Sequence, residues 1–581
     1  MAATSPSKEM QGNCTLDLRE ARAAFAEGAD PDVVARRLGL AGEDELLQAV
    51  GDMLAMDVVD LSETESDNQL LEEFPARLIH RYRFFPLHRE NGSLAVALCD
   101  PFDMEAIDAV GAATGATIRP LIARPREVSR LIREHLGVGA ETVEGLVAQA
   151  DDEQSGAVEL LDEPDWDDSE AAEMAQQASV VRLVNEILTE AIEARASDIH
   201  IEAMLGGIQI RYRIDGVLIK QPVPPEINRF QAAIISRLKI MARLNIAERR
   251  VPQDGRIKVR VAGREVDIRV SIIPMLGGEG IVMRVLDKGN MQFSLKGLKM
   301  DADCYRRFNE LIKLPHGIIL VTGPTGSGKT TTLYSALNDI KCDEIKIITT
   351  EDPIEYQLDG INQIQVHTKV GLTFAASLRS ILRHDPDVVL VGEIRDFETA
   401  ENAIQASLTG HLVFSTLHTN DSASAFMRLA DMGVEPYLVS STVEGIMAQR
   451  LVRTLCEKCQ ESYVPEVADL PTDFPVDRLD DGQRLKRAVG CRACRGTGYS
   501  GRVGLYELLC VNDEIRHLAN ERAPTTAIVE AGIRAGMRTL RQDGWHRVLA
   551  GETTIDEVLR VTRADHQGSL TALAGQESSH G

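Results

Sequence analysis

The run His316-Gly-Ile-Ile-Leu-Val-Thr322, then Gly323-Pro-Thr-Gly-Ser-Gly-Lys329-Thr330, then Thr331-Thr-Leu-Tyr-Ser-Ala-Leu-Asn-Asp-Ile340, decides the reading of this chain. The first part is an apolar, strand-forming segment and the last part is compatible with a helix. Between them lies the spacing G-x-x-x-x-G-K-[ST] in its required setting, strand before and helix after. Gly323, Gly326 and Gly328 let the N–H groups of residues 326–330 turn inward around phosphate oxygens, and the helix start adds a favourable field. Pro324, Thr325, Ser327 and Thr331 complete the loop. Lys329 is expected on the β- and γ-phosphate oxygens, and the Thr330 hydroxyl on Mg²⁺.

Outward from this loop, strand-like runs at Ile318–Thr322, Ile345–Thr350, Val388–Val391 and Leu412–Thr416 alternate with helix-length intervals. That alternation predicts a parallel sheet flanked by helices. In such a sheet the C-terminal strand ends share one edge with the phosphate loop. Phosphoryl transfer to water needs a carboxylate there. Asp387-Val-Val-Leu-Val-Gly-Glu393 offers Glu393, with Asp396 three residues on; Glu351-Asp352-Pro-Ile-Glu355 offers Glu351, with Asp352 and Glu355 behind it. The plainer alternative for any of these acids is a helix cap. His411 and His418 bracket the last strand, and one of them is a candidate hydrogen-bond donor to the γ-phosphate, although a single histidine is more often structural.

The 581 residues suggest about four folding units at roughly 150 residues each. The net charge of −26 and the 4% aromatic content argue against general phosphate-backbone binding and against a base-stacking platform. Between Glu141 and Glu173 there are 13 acidic residues and no lysine or arginine, the pattern of a solvated linker. The sequence MAATSPSKEM lacks the apolar core of a secretory signal, and no apolar run approaches the ~18 residues that cross a bilayer, so a cytoplasmic chain is expected.

Cys456-Glu-Lys-Cys459 and Cys491-Arg-Ala-Cys494 form two C-x₂-C pairs separated by 31 residues. Two thiolate pairs can complete a tetrahedral Zn²⁺ site, and an all-thiolate site is structural rather than catalytic. Thiol oxidation is the competing reading in a non-reducing compartment. Arg487, Arg492, Arg495 and Arg502 around the pairs admit a DNA-binding ribbon as a further alternative. The remaining cysteines, Cys14, Cys99, Cys304, Cys342 and Cys510, read as packing residues.

The expected organisation is a disordered start (1–15), an N-terminal α/β domain (16–136), an acidic linker (137–176), a small α+β domain (177–290), the P-loop domain (291–565) holding a tetracysteine insertion (452–505), and a disordered tail (566–581). Two hairpins mark the α+β domain, with turns at Asp215-Gly216 and Ala262-Gly263.

The segments GPTGSGKT, TTEDPIEY, LRSILRHDPDVVLVGEIRD and GHLVFSTLHTND occur in that order. Together they resemble the secretion ATPase superfamily that powers type II secretion and type IV pilus assembly, from about Val180 to Thr562. The resemblance implies a RecA-like core, ATP as substrate, Mg²⁺ and a structural Zn²⁺ on Cys456, Cys459, Cys491 and Cys494. It implies Glu393 as the atypical Walker B acid, Glu351 as the Asp-box acid near the attacking water, and His418 as the γ-phosphate contact. It further implies a homo-hexamer in which Arg269 and Arg284 of the preceding domain, with Arg256 a weaker third, close over nucleotide, while Arg379 and Arg383 reach a neighbour's ATP. Guanidinium groups suit that task because they grip phosphate bidentately. The implied partners are an inner-membrane platform protein and a bitopic docking protein, with peripheral membrane association through them and no nucleic acid. The N-terminal segment looks like the docking type and lacks the paired RLGxxL-type repeats of a cyclic-dinucleotide binder. Its single docking unit favours a type II secretion motor over a pilus-extension motor. A nucleic-acid translocase is the rival on the same core, and a scaffold that binds ATP without hydrolysis is a third reading.

Overall fold

The computed structural model describes residues 31–61, 82–90, 92–136, 158–160, 178–261, 263–287, 293–479 and 484–563, with isolated positions between 22 and 79. The segments expected to be disordered (1–15 and 566–581) lie outside the described residues, as does the acidic linker apart from 158–160. The chain divides into two compact units, Met1–Gly289 and Asn290–Gly581.

The first unit holds two sheets. Strands β1 (Asp57–Val58), β2 (Phe84–Glu90), β3 (Ser93–Leu98) and β4 (Thr117–Ile122) form a sheet of order β1-β4-β3-β2. β3 is almost wholly buried, as its run of small and branched apolar residues requires, and helices Met104–Thr114 and Pro125–Leu136 pack with it around Phe84, Leu94, Val110 and Val128.

The second sheet has order β5-β9-β10-β11-β6-β7-β8, from β5 (Val158–Leu160), β6 (Asp198–Met204), β7 (Gly207–Ile214), β8 (Val217–Lys220), β9 (Gln253–Val261), β10 (Arg264–Met275) and β11 (Gly278–Asp287). The Asp215-Gly216 turn has φ of 49° and 87°, both positive as a two-residue hairpin loop demands. Alternating apolar residues of these strands close against helices Ala178–Glu193 and Gln231–Met241. Val158–Leu160 pairs with β9, so the acidic stretch, expected as pure linker, also contributes an edge strand.

In the second unit, β12 (Gly317–Thr322), β13 (Ile347–Glu351), β14 (Asn362–Gln365), β15 (Val388–Val391), β16 (Leu412–Leu417), β17 (Val443–Leu455), β18 (Gln460–Tyr463), β19 (Leu485–Ala488) and β20 (Tyr499–Cys510) follow in chain order. Seven of them form one sheet, β14-β13-β15-β16-β12-β17-β20, parallel except for β20. Alternate β12 residues feed opposite faces, Ile318 and Leu320 into one core and Ile319 and Val321 into the other. This burial on both faces is why these strands read as unbroken apolar runs. β17 and β20 stay paired from Gly445↔Cys510 to Leu455↔Tyr499. The inserted tetracysteine module is therefore shorter than the expected 452–505, because both flanks are still core strand.

Candidate active site and tetracysteine centre

The phosphate loop joins β12 to helix Lys329–Ile340. Gly326 and Gly328 have φ of 79° and 91°, left-handed values that favour glycine. Gly328 also has no room for a side chain, since a Cβ there would lie 2.7 Å from Gln449 Nε2. Lys329 Nζ donates to the carbonyls of Gly323 (2.8 Å) and Pro324 (3.1 Å), which lays the ammonium across the loop. Burial pushes Lys329 down to about 8, against the opposing pull of the Glu393 carboxylate. Among the described residues, the buried Ser327 hydroxyl has no hydrogen-bond partner. A buried hydroxyl donor close to a lysine ammonium at a helix start suits a phosphate group.

Register brings the other motifs to the same edge. Gly392 N donates to Thr350 O at 2.8 Å and Ile394 N to Thr416 O at 3.1 Å, so Glu393 emerges between the ends of β13 and β16. Its carboxylate pairs with Arg395 and lies 3.2 Å from His418 Nε2. Burial would raise the Glu393 carboxyl, but the Arg395 and His418 hydrogen bonds hold it below the usual carboxylate range. His418 is half exposed, whereas His411 Nδ1 is 2.8 Å from the Ala406 carbonyl, closing a helix end. Of the two histidines, His418 is the one the fold presents at this edge.

Glu351 ends β13 but is only 5% exposed. Its oxygens accept from the Tyr334 hydroxyl, Thr349 Oγ1 and Gln363 Nε2. Tyr334 and Tyr356 both pack edge-on against Phe293. Asp396 caps helix Phe397–Leu408 by accepting from Thr399 N at 2.8 Å, the plainer of its two sequence readings.

The arginines fall into two groups. In the first unit, Arg256, Arg269 and Arg284 are direct cross-strand neighbours on β9, β10 and β11, and the row continues to Asp198 on β6 and Arg213 on β7. Opposed residues share a face, so four guanidiniums line one side of this sheet. Asp198 accepts from Arg284 at 3.1 Å and pairs with Arg213 at 3.4 Å; Asp267 pairs with Arg256 at 3.2 Å. Sequence reasoning missed Arg213, although its alternation with Arg211 on a strand was a usable signal. In the second unit, helix Phe374–Ile381 carries Arg379 but stops before Arg383. Arg379 and Arg383, four residues apart, therefore do not share a helical face: Arg383 sits in the following turn and Nη1 donates to Arg379 O at 2.7 Å. Arg379 pairs with Glu398.

The four sulfurs of Cys456, Cys459, Cys491 and Cys494 all lie within 4.8 Å of one another. Cys456–Cys491, Cys459–Cys494 and Cys491–Cys494 are 3.8, 3.7 and 3.7 Å apart. A tetrahedron with Zn–S of about 2.3 Å has edges of about 3.8 Å, so the donor set fits that ion. Cys491 N and Gly498 N each donate to Cys494 Sγ at 3.1 Å, bonds that favour thiolate. Of the cysteines read as packing residues, Cys99 and Cys304 are buried and Cys510 partly so; Cys342 is exposed, because it falls in the loop after helix Lys329–Ile340, and Cys14 lies outside the described residues.

A doubly wound parallel sheet with a phosphate loop at one strand end and an acid–histidine pair at its neighbours defines a P-loop ATPase. The profile of the family described as type II/IV secretion system protein matches residues 173–560, and that of the MshEN domain residues 54–142. The chain belongs to the type II/IV secretion system protein family and is an ATPase. It is 44% identical over 553 residues to type II secretion system protein E of Xanthomonas campestris pv. campestris, covering 94% of this chain and 95% of the relative. It is 41% identical over 532 residues to the type IV pilus assembly ATPase PilB of Myxococcus xanthus, covering 91% and 93%. It is 49% identical over 428 residues to type II secretion system ATPase E of Vibrio cholerae serotype O1, covering 73% and 82%. Among the described residues, no helix is long and apolar enough to cross a membrane.

Proposed function

We propose that this chain hydrolyses ATP as a ring of six copies, and that turnover drives pseudopilus assembly in type II protein secretion. The observation that carries this reading is the likeness to the Xanthomonas type II secretion protein E along nearly the whole length of both chains, N-terminal region included. In this reading Lys329 and the N–H groups of residues 326–330 hold the β- and γ-phosphates, with Gly323 to Thr331 shaping the cradle. The Thr330 hydroxyl is the residue that would hold Mg²⁺, which supplies charge neutralisation when bound. Glu393, kept ionised by Arg395 and His418, orients and polarises the attacking water, and His418 donates to the γ-phosphate. Glu351 is the second acid, and its bonds to Tyr334 and Gln363 must open before it reaches water.

Arg269 and Arg284 belong to the domain that closes over nucleotide, and Arg379 and Arg383 serve a neighbouring copy's site. Charge supplied from a neighbour would make hydrolysis depend on ring geometry. Cys456, Cys459, Cys491 and Cys494 hold a structural Zn²⁺. The N-terminal domain docks on a bitopic membrane protein and the motor meets an inner-membrane platform protein, so the chain works in the cytoplasm, bound peripherally through partners. A second reading, type IV pilus extension, is favoured by the 41% identity to PilB. Replacing the chromosomal gene by its Lys329→Ala form separates the two. Loss of exported protein from the medium with pili intact supports secretion; loss of pili with export intact supports pilus extension.

A further inference from the structure

We propose that Gln449 and Arg450, adjacent on β17, are positioning residues of the ATPase: they seat the phosphate loop and lock it to the strand end that carries His418. The register of β17 with β12 pairs Ala448 with Thr322, so the next two residues come level with the start of the loop. Gln449 is 1% exposed, and both ends of its amide face the loop. Oε1 accepts from Thr332 Oγ1 at 2.7 Å in the helix that follows, and Nε2 faces Gly328 closely enough that a Cβ there would be 2.7 Å away. The Gln449 carbonyl does the same at the other end, where a Cβ on Gly323 would approach it to 2.6 Å. The two outer glycines of the loop therefore rest on one residue of β17.

Arg450 is 8% exposed and makes the second connection. Nη1 donates to the Gln449 carbonyl at 3.0 Å, and Nη2 to Asn420 O at 2.8 Å and Oδ1 at 3.3 Å. Asn420 lies two residues past His418. The residue between them, Thr419, donates its N–H to Thr322 Oγ1 at 2.9 Å. The His418 segment is thus tied to the loop's entry strand by a hydroxyl and to its seat by a guanidinium. Burying a guanidinium is unfavourable unless it is well bonded, and burial lowers Arg450 from its ordinary value. A fold that keeps this charge beside Gly323 holds a fixed positive potential at the base of an anion site. Gln449 then governs the shape of the cradle and hence nucleotide affinity, whereas Arg450 governs where His418 stands relative to the γ-phosphate and hence turnover.

The inference rests on Lys329 holding the phosphates. The test uses full-length protein carrying Gln449→Ala, Gln449→Glu, Arg450→Lys or Lys329→Ala, with kcat and KM for ATP and the affinity for a fluorescent ATP analogue. Gln449→Ala raises KM about tenfold, and Gln449→Glu, which keeps the Thr332 acceptor, recovers part of it. Arg450→Lys keeps the charge but loses the fork, so kcat falls about tenfold or more while KM stays within about threefold. Thr332→Val removes the hydroxyl that Gln449 holds and raises KM as Gln449→Ala does, which covers the case of a Gln449 variant that fails to fold. Wild-type kcat and KM in Arg450→Lys and Thr332→Val, with Lys329→Ala inactive, overturn this proposal alone. Turnover surviving in Lys329→Ala would instead overturn the reading of the site.

Discussion

His418 Nε2 and Glu393 Oε2 are 3.2 Å apart although 25 residues separate them in sequence. The contact exists because β15 and β16 are parallel neighbours, with Val391 opposite Ser415, so two consecutive strand ends deliver an acid and an imidazole to one point. With Arg395 on the other oxygen, Glu393 is held as a carboxylate, the form that its proposed role as acceptor for the water proton requires.

Removing that acceptor separates binding from chemistry. Glu393→Gln should retain the affinity for ATP and lose hydrolysis by about 10²-fold or more, and His418→Ala should lose less. Equilibrium binding beside phosphate release checks this; an equal loss of binding in Glu393→Gln and Lys329→Ala contradicts the role.

Lys329 gives a pH signature. Burial, opposed by Glu393 and reinforced by Arg450, leaves its ammonium titrating at about 8 rather than 10.5. Above about pH 8 the free enzyme loses the charge that grips phosphate, so kcat/KM for ATP should fall toward tenfold per pH unit. The sign for folding is opposite. Between the folded value and 10.5 the unfolded chain binds the proton that the folded one has released, so this group makes stability rise with pH there. Activity lost on that limb while thermal stability holds is the expected outcome. A flat profile from about pH 7 to about pH 9 refutes it.

Arg379 is held by Glu398 within its own chain, so a role at a neighbour's ATP requires exchange of partners. Arg379→Ala should lower turnover about tenfold or more with ATP affinity little changed. Mixing it with Lys329→Ala chains should restore part of the activity, because one of the two kinds of mixed contact pairs an intact loop with an intact arginine. Mixtures no more active than their parts exclude supply from a neighbour.

The sulfur cage predicts its own dependence on metal. Cys459→Ser should carry less than one Zn per chain and lose stability on the order of several kcal/mol in the C-terminal unit. Elemental analysis and melting curves decide it, and full zinc occupancy in the variant ends the four-thiolate assignment.

The phosphate loop, the acid-terminated strand and the two C-x₂-C pairs were legible in the chain because their chemistry demands particular residues at short, fixed spacing. The parallel sheet was legible too, since strands buried on both faces must be apolar throughout, as Ile318 to Val321 are. Tertiary structure alone decided which long-range partners those residues acquire. Glu351 and Glu393 look alike as acids at strand ends, yet Tyr334, Thr349 and Gln363 enclose one while Arg395 and His418 hold the other open at the edge. Gln449 and Arg450 carry no motif, and only the parallel register of β17 with β12 sets them under the glycines. The row of Arg256, Arg269, Arg284 and Arg213 likewise exists only through strand order and register. Local sequence dictates backbone preference and burial, whereas contacts across dozens of residues depend on how strands align, a quantity no short segment contains.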